Sequence, residues 1–354
     1  MDREINFLNA DSAEKRLENL QTLLSEESEK PAVLPQYANN HIHTTFSFSP
    51  YSPTAAVWAA RRAGLPTAGI MDHDSISGAS EFRKAAKLAG IGATCGVEMR
   101  TDWTSSPFAD RRINSPDMNG MVYMTFHSIR ERYFDQVKDM IAPYRELRNE
   151  RNIKILKNIE KETGVHIDFE KDVIPISEYE NGGSITERHL LFALAKKVMP
   201  DGTEDEQYKL LGQYKSGLIN DVFVEPSEEL LPLDFAVSFA KEIDCYLCYP
   251  YLGDVTKSPT GDKKAQKFED DYLDDLFVYL KNKGIGAITY MPSRNTAEQL
   301  DRLMKLCDKY NMIQISGEDI NQPSQSFICK ELADPRFSHL VDAAWELVKR
   351  EENG

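Results

Sequence analysis

Residues 40–45 read Asn40-His41-Ile42-His43-Thr44-Thr45 and close a short apolar segment that begins at Ala38. Residues two apart on an extended strand point to the same side, so both imidazoles of such a strand face one point. The next apolar run, 67–71, leads into Asp72-His73-Asp74, and the third, 92–97, leads into Glu98. The last, 312–316, leads into Gly317-Glu318-Asp319. Ionisable residues thus gather where strands end. In a parallel α/β barrel the loops after the strands converge on one face, and chemistry sits there. Imidazole with carboxylate suits zinc, manganese or iron, with geometry selecting among them. A lone His or Asp at a strand end is more often a cap or a satisfied core group. Three of the chain's 7 His fall at the first two strand ends, however, and that coincidence favours a metal site.

Working outward, strand-like runs end near His43, Asp72, Glu98, Phe126, Tyr249, Tyr290 and Ser316, with helical patterns between most of them. That alternation predicts parallel strands with helical crossovers, an α/β barrel of seven strands. Residues 128–240 interrupt it. They read as long charged helix over 130–161 with a break at Pro143, then as helices over 187–199 and 204–213. Ala13, Leu17, Leu20, Leu23 and Leu24 recur at helical spacing, and Pro31 and Pro35 mark a linker after them. The expected organisation is therefore an N-terminal helix and linker (1–36), packed on the outside, and a first barrel part (37–127). A helical insertion (128–240) comes next, then a second barrel part with a C-terminal helix (241–354).

Composition narrows the function classes. Of 354 residues, 42 are Lys or Arg and 57 are Asp or Glu, a formal charge of -15. Such a surface repels a polyphosphate chain, so long nucleic acid is not an expected partner. Residues 145–151 hold Arg145, Arg148 and Arg151 among Glu146 and Glu150 and read as a solvated helix face. No apolar stretch is long enough to span a membrane, and the first residues lack the apolar core of a secretory leader. The odd number of scattered cysteines, 5, argues against a disulfide framework. A cytoplasmic protein is expected. Cys245 and Cys248, three apart on a strand, face opposite sides and read as structural. His166 and His339 read as structural too, and Asp74 and Ser75 as caps for a helix starting near Gly78.

Taken together, N-H-I-H-T-T, I-M-D-H-D-S-I-S-G, G-V-E and S-G-E-D-I-N-Q-P, in that order across residues 37–325, resemble the PHP (polymerase and histidinol phosphatase) superfamily. The stretch G-G-S-I-T-E-R-H-L is similar to one that several PHP phosphoesterases carry in their helical insertion. The resemblance implies a distorted seven-stranded (β/α) barrel with a helical insertion, up to three metals and hydrolysis of phosphate esters. It implies that His41, His43, Glu98 and Asp319 hold a first metal. The other positions depart from the pattern. Tyr123 and Tyr249 stand where the second position has histidines, and Phe48 and Asn321 stand where the third has its partners to His73. Phenol, with a pKa of about 10, ligates zinc poorly unless ionised. His127, close to Tyr123, could supply a missing ligand.

The expected cofactor is thus one divalent transition metal: Zn, Mn or Fe. His73 and Asp72 are the expected catalytic groups, standing in for absent ions, while Asp72 could equally orient a His or ligand from behind or serve a structural role at the strand end. Arg188 is the expected phosphate-binding group, since guanidinium binds phosphate bidentately. Against that, Glu187 occupies a place where relatives carry Arg, and Thr186 as a helix cap with His189 on the helix surface is the plainer reading. The expected function is a metal-dependent hydrolase acting on a small phosphorylated metabolite or nucleotide. The competing expectation is a non-catalytic ligand-binding or regulatory protein on a degenerate PHP scaffold. Oligomeric state is not legible in the sequence.

Overall fold

A computed structural model describes residues 3–115, 118–257 and 264–353. The chain begins with helices α1 (Arg3–Leu8) and α2 (Ala13–Glu26). The first barrel part runs β1 (Asn39–Ile42), α3 (Pro53–Arg62), β2 (Thr67–His73), α4 (Ala79–Ala89), β3 (Gly92–Asp102) and β4 (Met121–His127). Helices α5 (Phe134–Thr163), α6 (Glu187–Val198), α7 (Glu204–Ser216) and α8 (Ile219–Val222) come next. Then come β5 (Leu231–Pro232), α9 (Leu233–Glu242), β6 (Tyr246–Pro250) and the short antiparallel pair β7 (Val255–Lys257) and β8 (Lys264–Gln266). The last elements are α10 (Leu273–Lys283), β9 (Ala287–Tyr290), α11 (Ala297–Tyr310), β10 (Ile313–Ser316) and α12 (Ser338–Glu352).

The seven expected strands form one sheet in the order β1-β2-β3-β4-β6-β9-β10, with β5 added beside β3. The sheet curls into a nearly closed barrel. Asn40 Nδ2 donates to Ser316 O at 2.9 Å, and His43 N donates to Ile320 O at 3.0 Å across the seam. Gly317 makes this closure possible. A Cβ there would lie 2.6 Å from His41 N, closer than real contacts allow.

Two expectations fail for clear reasons. The strands are not all parallel: β4 runs antiparallel to both β3 and β6. Among the described residues no helix separates it from β3, and Trp103 N donates to Gly120 O at 2.8 Å where the chain rejoins the sheet. Pairing with β4 and β5 also extends β3 beyond Glu98 to Asp102. The second failure is the break at Pro143, which lies inside an uninterrupted α5 of 30 residues. Pro143 is exposed, so water can satisfy the carbonyl it leaves without a donor.

Burial divides into two principal apolar cores. The larger joins the barrel to its surrounding helices and includes Phe82, Trp103, Phe126 and Phe277. Leu8 and Leu20 belong to it, so the leading helices are sealed onto the barrel's outer layer, where Arg16 pairs with Glu81 at 2.7 Å. The insertion has its own core, with Ile155, Ile159, Leu190 and Leu194. Among the described residues, no helix is long and apolar enough to cross a membrane.

Candidate metal centre

β1 delivers His41 and His43, β2 ends in His73, β3 presents Glu98, and the segment after β10 brings Asp319. His43 Nε2 lies 3.2 Å from Asp319 Oδ1 and 3.9 Å from Glu98 Oε2. His41 Nε2 stands 3.7 Å from Glu98 Oε2, and His73 Nδ1 stands 3.0 Å from the same oxygen. The donors form two overlapping trios, each within 4.8 Å: His41, His43 and Asp319, and His43, His73 and Glu98. His43 belongs to both. The four expected ligands therefore converge, and His73 joins them as a fifth donor.

Three of the four charge states suit a cation. Burial works against an ionised Glu98, yet His73 and His41 hold its carboxyl well below the usual range. Asp319 is likewise pulled down against burial by His43, His41 and Arg188. Burial, then the neighbouring His73, lowers His43 and favours its neutral imidazole. At His41 burial is outweighed by Glu98 and Asp319, and the pKa rises. Ionised carboxylates and imidazole nitrogens around one point are what a divalent transition metal requires, so these residues fit one.

Asp72 does not fit the catalytic role expected of it. Its neighbour His73 faces the barrel interior, so Asp72 faces away and lines no part of the cavity. Its carboxylate accepts Thr44 N, Thr44 Oγ1 and Ser47 Oγ, each at 2.6 Å. Ser47 Oγ in turn lies 3.3 Å from His43 Nδ1. Asp72 thus fixes the loop behind His43 and orients the imidazole through a hydroxyl.

The departures from the family pattern fall in different places. Phe48 packs into the insertion core, at a φ of 114°, while still lining the cavity, and offers no ligand atom. Tyr249 is buried outside the cavity, with its hydroxyl donating to Glu269 at 2.6 Å. Tyr123 does line the cavity. Asn321 donates to Asp319 Oδ1 and accepts Arg188 Nη1, both at 2.6 Å, so Arg188 reaches the cluster through an amide. His127 is the last residue of β4, not a loop residue beyond it, and it also lines the cavity. Its Nε2 has no hydrogen-bond partner among the described residues, and burial lowers its pKa to about 3. It belongs to neither trio.

Three further readings are corrected. His189 is 1% exposed, not a surface residue, and its Nδ1 accepts Thr186 N at 3.0 Å to cap α6. Asp74 caps no helix but pairs with Arg148, and Ser75 Oγ donates to Gly182 O at 2.8 Å. The Arg-rich stretch of α5 is not a solvated face, since Arg148 and Arg151 are 4% and 3% exposed. Arg148 reaches Glu187 at 2.7 Å, and Arg151 also pairs with Glu187. Glu229 accepts Arg100 at 2.6 Å and Arg151 at 2.7 Å. This network ties the insertion to β3 and explains the acidic residue at 187. The i,i+3 spacing of Arg148 and Arg151 was its one sequence signal. Above the cluster a cavity of about 740 Å³ opens between the barrel mouth and the insertion.

The PHP domain family model matches residues 39–223. A 5'-3' exoribonuclease of Haemophilus influenzae is 28% identical over 181 residues, which cover 51% of this chain and 58% of that protein. The chain thus spans little more than half the length of that relative. Two solved structures share the fold. One, from Bifidobacterium adolescentis and described as a metal-dependent phosphoesterase, is 18% identical with a TM-score of 0.61, covering 91% of this chain and 98% of its own. The other, described as an amidohydrolase from Chromobacterium violaceum and solved with bound sulfate and no metal, is 16% identical with a TM-score of 0.59, covering 82% and 89%. With its strand-end histidines, its nearly closed seven-stranded barrel and a family match over 39–223, this chain belongs to the PHP domain family.

Proposed function

We propose that this protein is a metal-dependent phosphoesterase that acts on a small phosphorylated metabolite or nucleotide and uses a single divalent cation. The observation that carries the proposal is the position of His43 Nε2, within 4 Å of both Asp319 and Glu98, with His41 beside them. His41, His43, Glu98 and Asp319 would hold the ion, and N/O donors of this kind suit Zn, Mn or Fe. When bound, such an ion supplies hydroxide at neutral pH and polarises a phosphoryl oxygen. His73, 3.0 Å from Glu98, assists by binding phosphate or moving a proton. Arg188, already directed at Asn321 beside Asp319, binds a phosphoryl oxygen. A single ion is supported by Phe48, which has no ligand atom to offer, and by Tyr249, whose hydroxyl is spent on Glu269 outside the cavity. A small substrate is supported by the confined cavity and by the charge of -15. The exoribonuclease relative keeps nucleotides among the candidates.

The substitution of ligand positions by Phe48, Tyr123, Tyr249 and Asn321 favours a second reading, a binding or regulatory protein without turnover. Elemental analysis of purified protein, with phosphatase assays under Mn²⁺ or Zn²⁺, separates the two. Bound metal with turnover that His41→Ala abolishes supports the hydrolase. No bound metal and no turnover of phosphate esters under either ion would leave the binding reading.

A further inference from the structure

We infer that the five donors offer one divalent cation two alternative seats, and that His43 is the pivot between them; the inference rests on the metal centre of the phosphoesterase reading above. The first seat is His41, His43 and Asp319, and the second is His43, His73 and Glu98, with the donor atoms of each trio within 4.8 Å of one another. The ring of His43 lies between its two alternatives. His41 meets it edge-on with centroids 5.0 Å apart, and His73 stacks on it at 4.5 Å.

The two seats exclude each other because His43 has one ligand atom to give. Ser47 Oγ donates its single hydrogen to Asp72 Oδ1 at 2.6 Å. Towards His43 Nδ1, 3.3 Å away, the same oxygen can only accept. Nδ1 therefore carries the hydrogen of the neutral ring, and Nε2 carries the lone pair. Nε2 lies 3.2 Å from Asp319 Oδ1 and 3.9 Å from Glu98 Oε2, so the same atom serves both trios. One lone pair binds one ion. Filling either seat takes His43 from the other and leaves that trio with two donors, fewer than the three protein ligands of an open transition-metal site.

The seats are not equivalent. Arg188 donates to Asn321, and Asn321 donates to Asp319, so an anion held by Arg188 lies on the side of the first seat. With the ion there, His73 stays outside the ligand trio and can assist a phosphoryl group. With the ion in the second seat, His73 is itself a ligand and that assistance is lost. The first seat is the working position, and the second is a resting position in which the ion stays bound without turnover.

X-ray absorption on protein loaded with one equivalent of Zn²⁺ tests this by counting the imidazoles on the ion. Wild type should show two. His41→Ala should also show two, because the ion moves to His43 and His73, whereas His43→Ala should show one. A single imidazole in H41A overturns the inference, since one fixed seat would then keep His43 alone. Three imidazoles in wild type overturn it as well, since all five donors would then share one seat. His41→Gln answers the same question should the alanine variant fail to fold. Competition against a chelator gives a second readout. Adding His73→Ala to the H41A protein should lower Zn²⁺ affinity by more than the roughly 10–100-fold that loss of outer support costs, while H73A alone should change it little. An equally small effect of H73A in both backgrounds overturns the second seat. Absence of Zn²⁺ from wild type overturns the metal centre itself, and the phosphoesterase reading with it.

Discussion

The ring of Phe48 meets the ring of His189 edge-on, with centroids 4.9 Å apart. Phe48 stands on the loop after β1, and His189 lies in the first turn of α6. The contact carries a residue of the barrel into the insertion's own core, where Phe48 also meets Phe192 at 5.7 Å. A left-handed φ of 114° is costly for any side chain with a Cβ. Burial of the ring among aromatics offsets that cost. A place that the family pattern gives to a metal ligand has here become a hydrophobic fastening between two parts of the chain.

Phe48→Ala should therefore destabilise the protein by about 3–5 kcal/mol, the usual cost of emptying a buried phenylalanine site. Hydrogen exchange should quicken first in α6 and α7. Urea unfolding gives the magnitude, and a loss below about 1 kcal/mol would show that the ring fastens nothing.

Asp72→Asn should weaken metal binding without unfolding the protein. The Asp72–Ser47–His43 chain orients an imidazole, and losing such outer support costs about 10–100-fold in affinity. Competition against a chelator measures this. Unchanged affinity would mean that Ser47 holds His43 without the carboxylate.

Glu187→Ala should cost about 3–5 kcal/mol, because it strips a half-buried partner from the buried Arg148 and Arg151. Replacing the carboxylate with Gln should cost less, as the amide oxygen still accepts one guanidinium. Equal stability of the alanine variant and wild type would show that water reaches these arginines.

Glu351 supplies a pH dependence far from the metal centre. Its side chain is buried, accepts Cys95 N at 2.9 Å and lies 3.3 Å from Arg83. Burial outweighs these partners and raises its pKa to about 8, against an ordinary 4.5. Between those values the folded state binds more protons than the unfolded one, so stability falls as pH rises. The contribution is full below about 4.5 and gone above about 8, falling by about 1.4 kcal/mol per pH unit between them. Glu351→Gln removes the titration. Its stability relative to wild type should climb between pH 5 and pH 9 in urea melts, and parallel curves would refute the raised pKa.

The strand segments and the cluster of donors at their ends were legible because both rest on local patterns. Alternation places His41 and His43 on one side of a strand whatever surrounds them. Apolar runs at 67–71, 92–97 and 287–290 mark strands because few other structures bury such runs. The direction of β4 was not legible. It depends on whether the chain from 103 to 120 crosses the barrel or turns back, and neither outcome leaves a periodic trace. The same gap hid where Tyr123 stands, opposite Arg100 and lining the cavity.

Sequence by itself determined the barrel, its helical insertion and the set of side chains that could surround a cation. Each follows from spacing within a few residues, where backbone geometry alone sets direction. Tertiary structure alone decided that Asp72 acts on His43 through Ser47, that Phe48 packs into the insertion core and Tyr249 against Glu269, and that Arg148 and Arg151 are buried against Glu187. Those outcomes join residues tens to more than a hundred positions apart. A charged or aromatic side chain carries no local mark of whether its partner will be water, a core or an opposite charge, and only packing settles it.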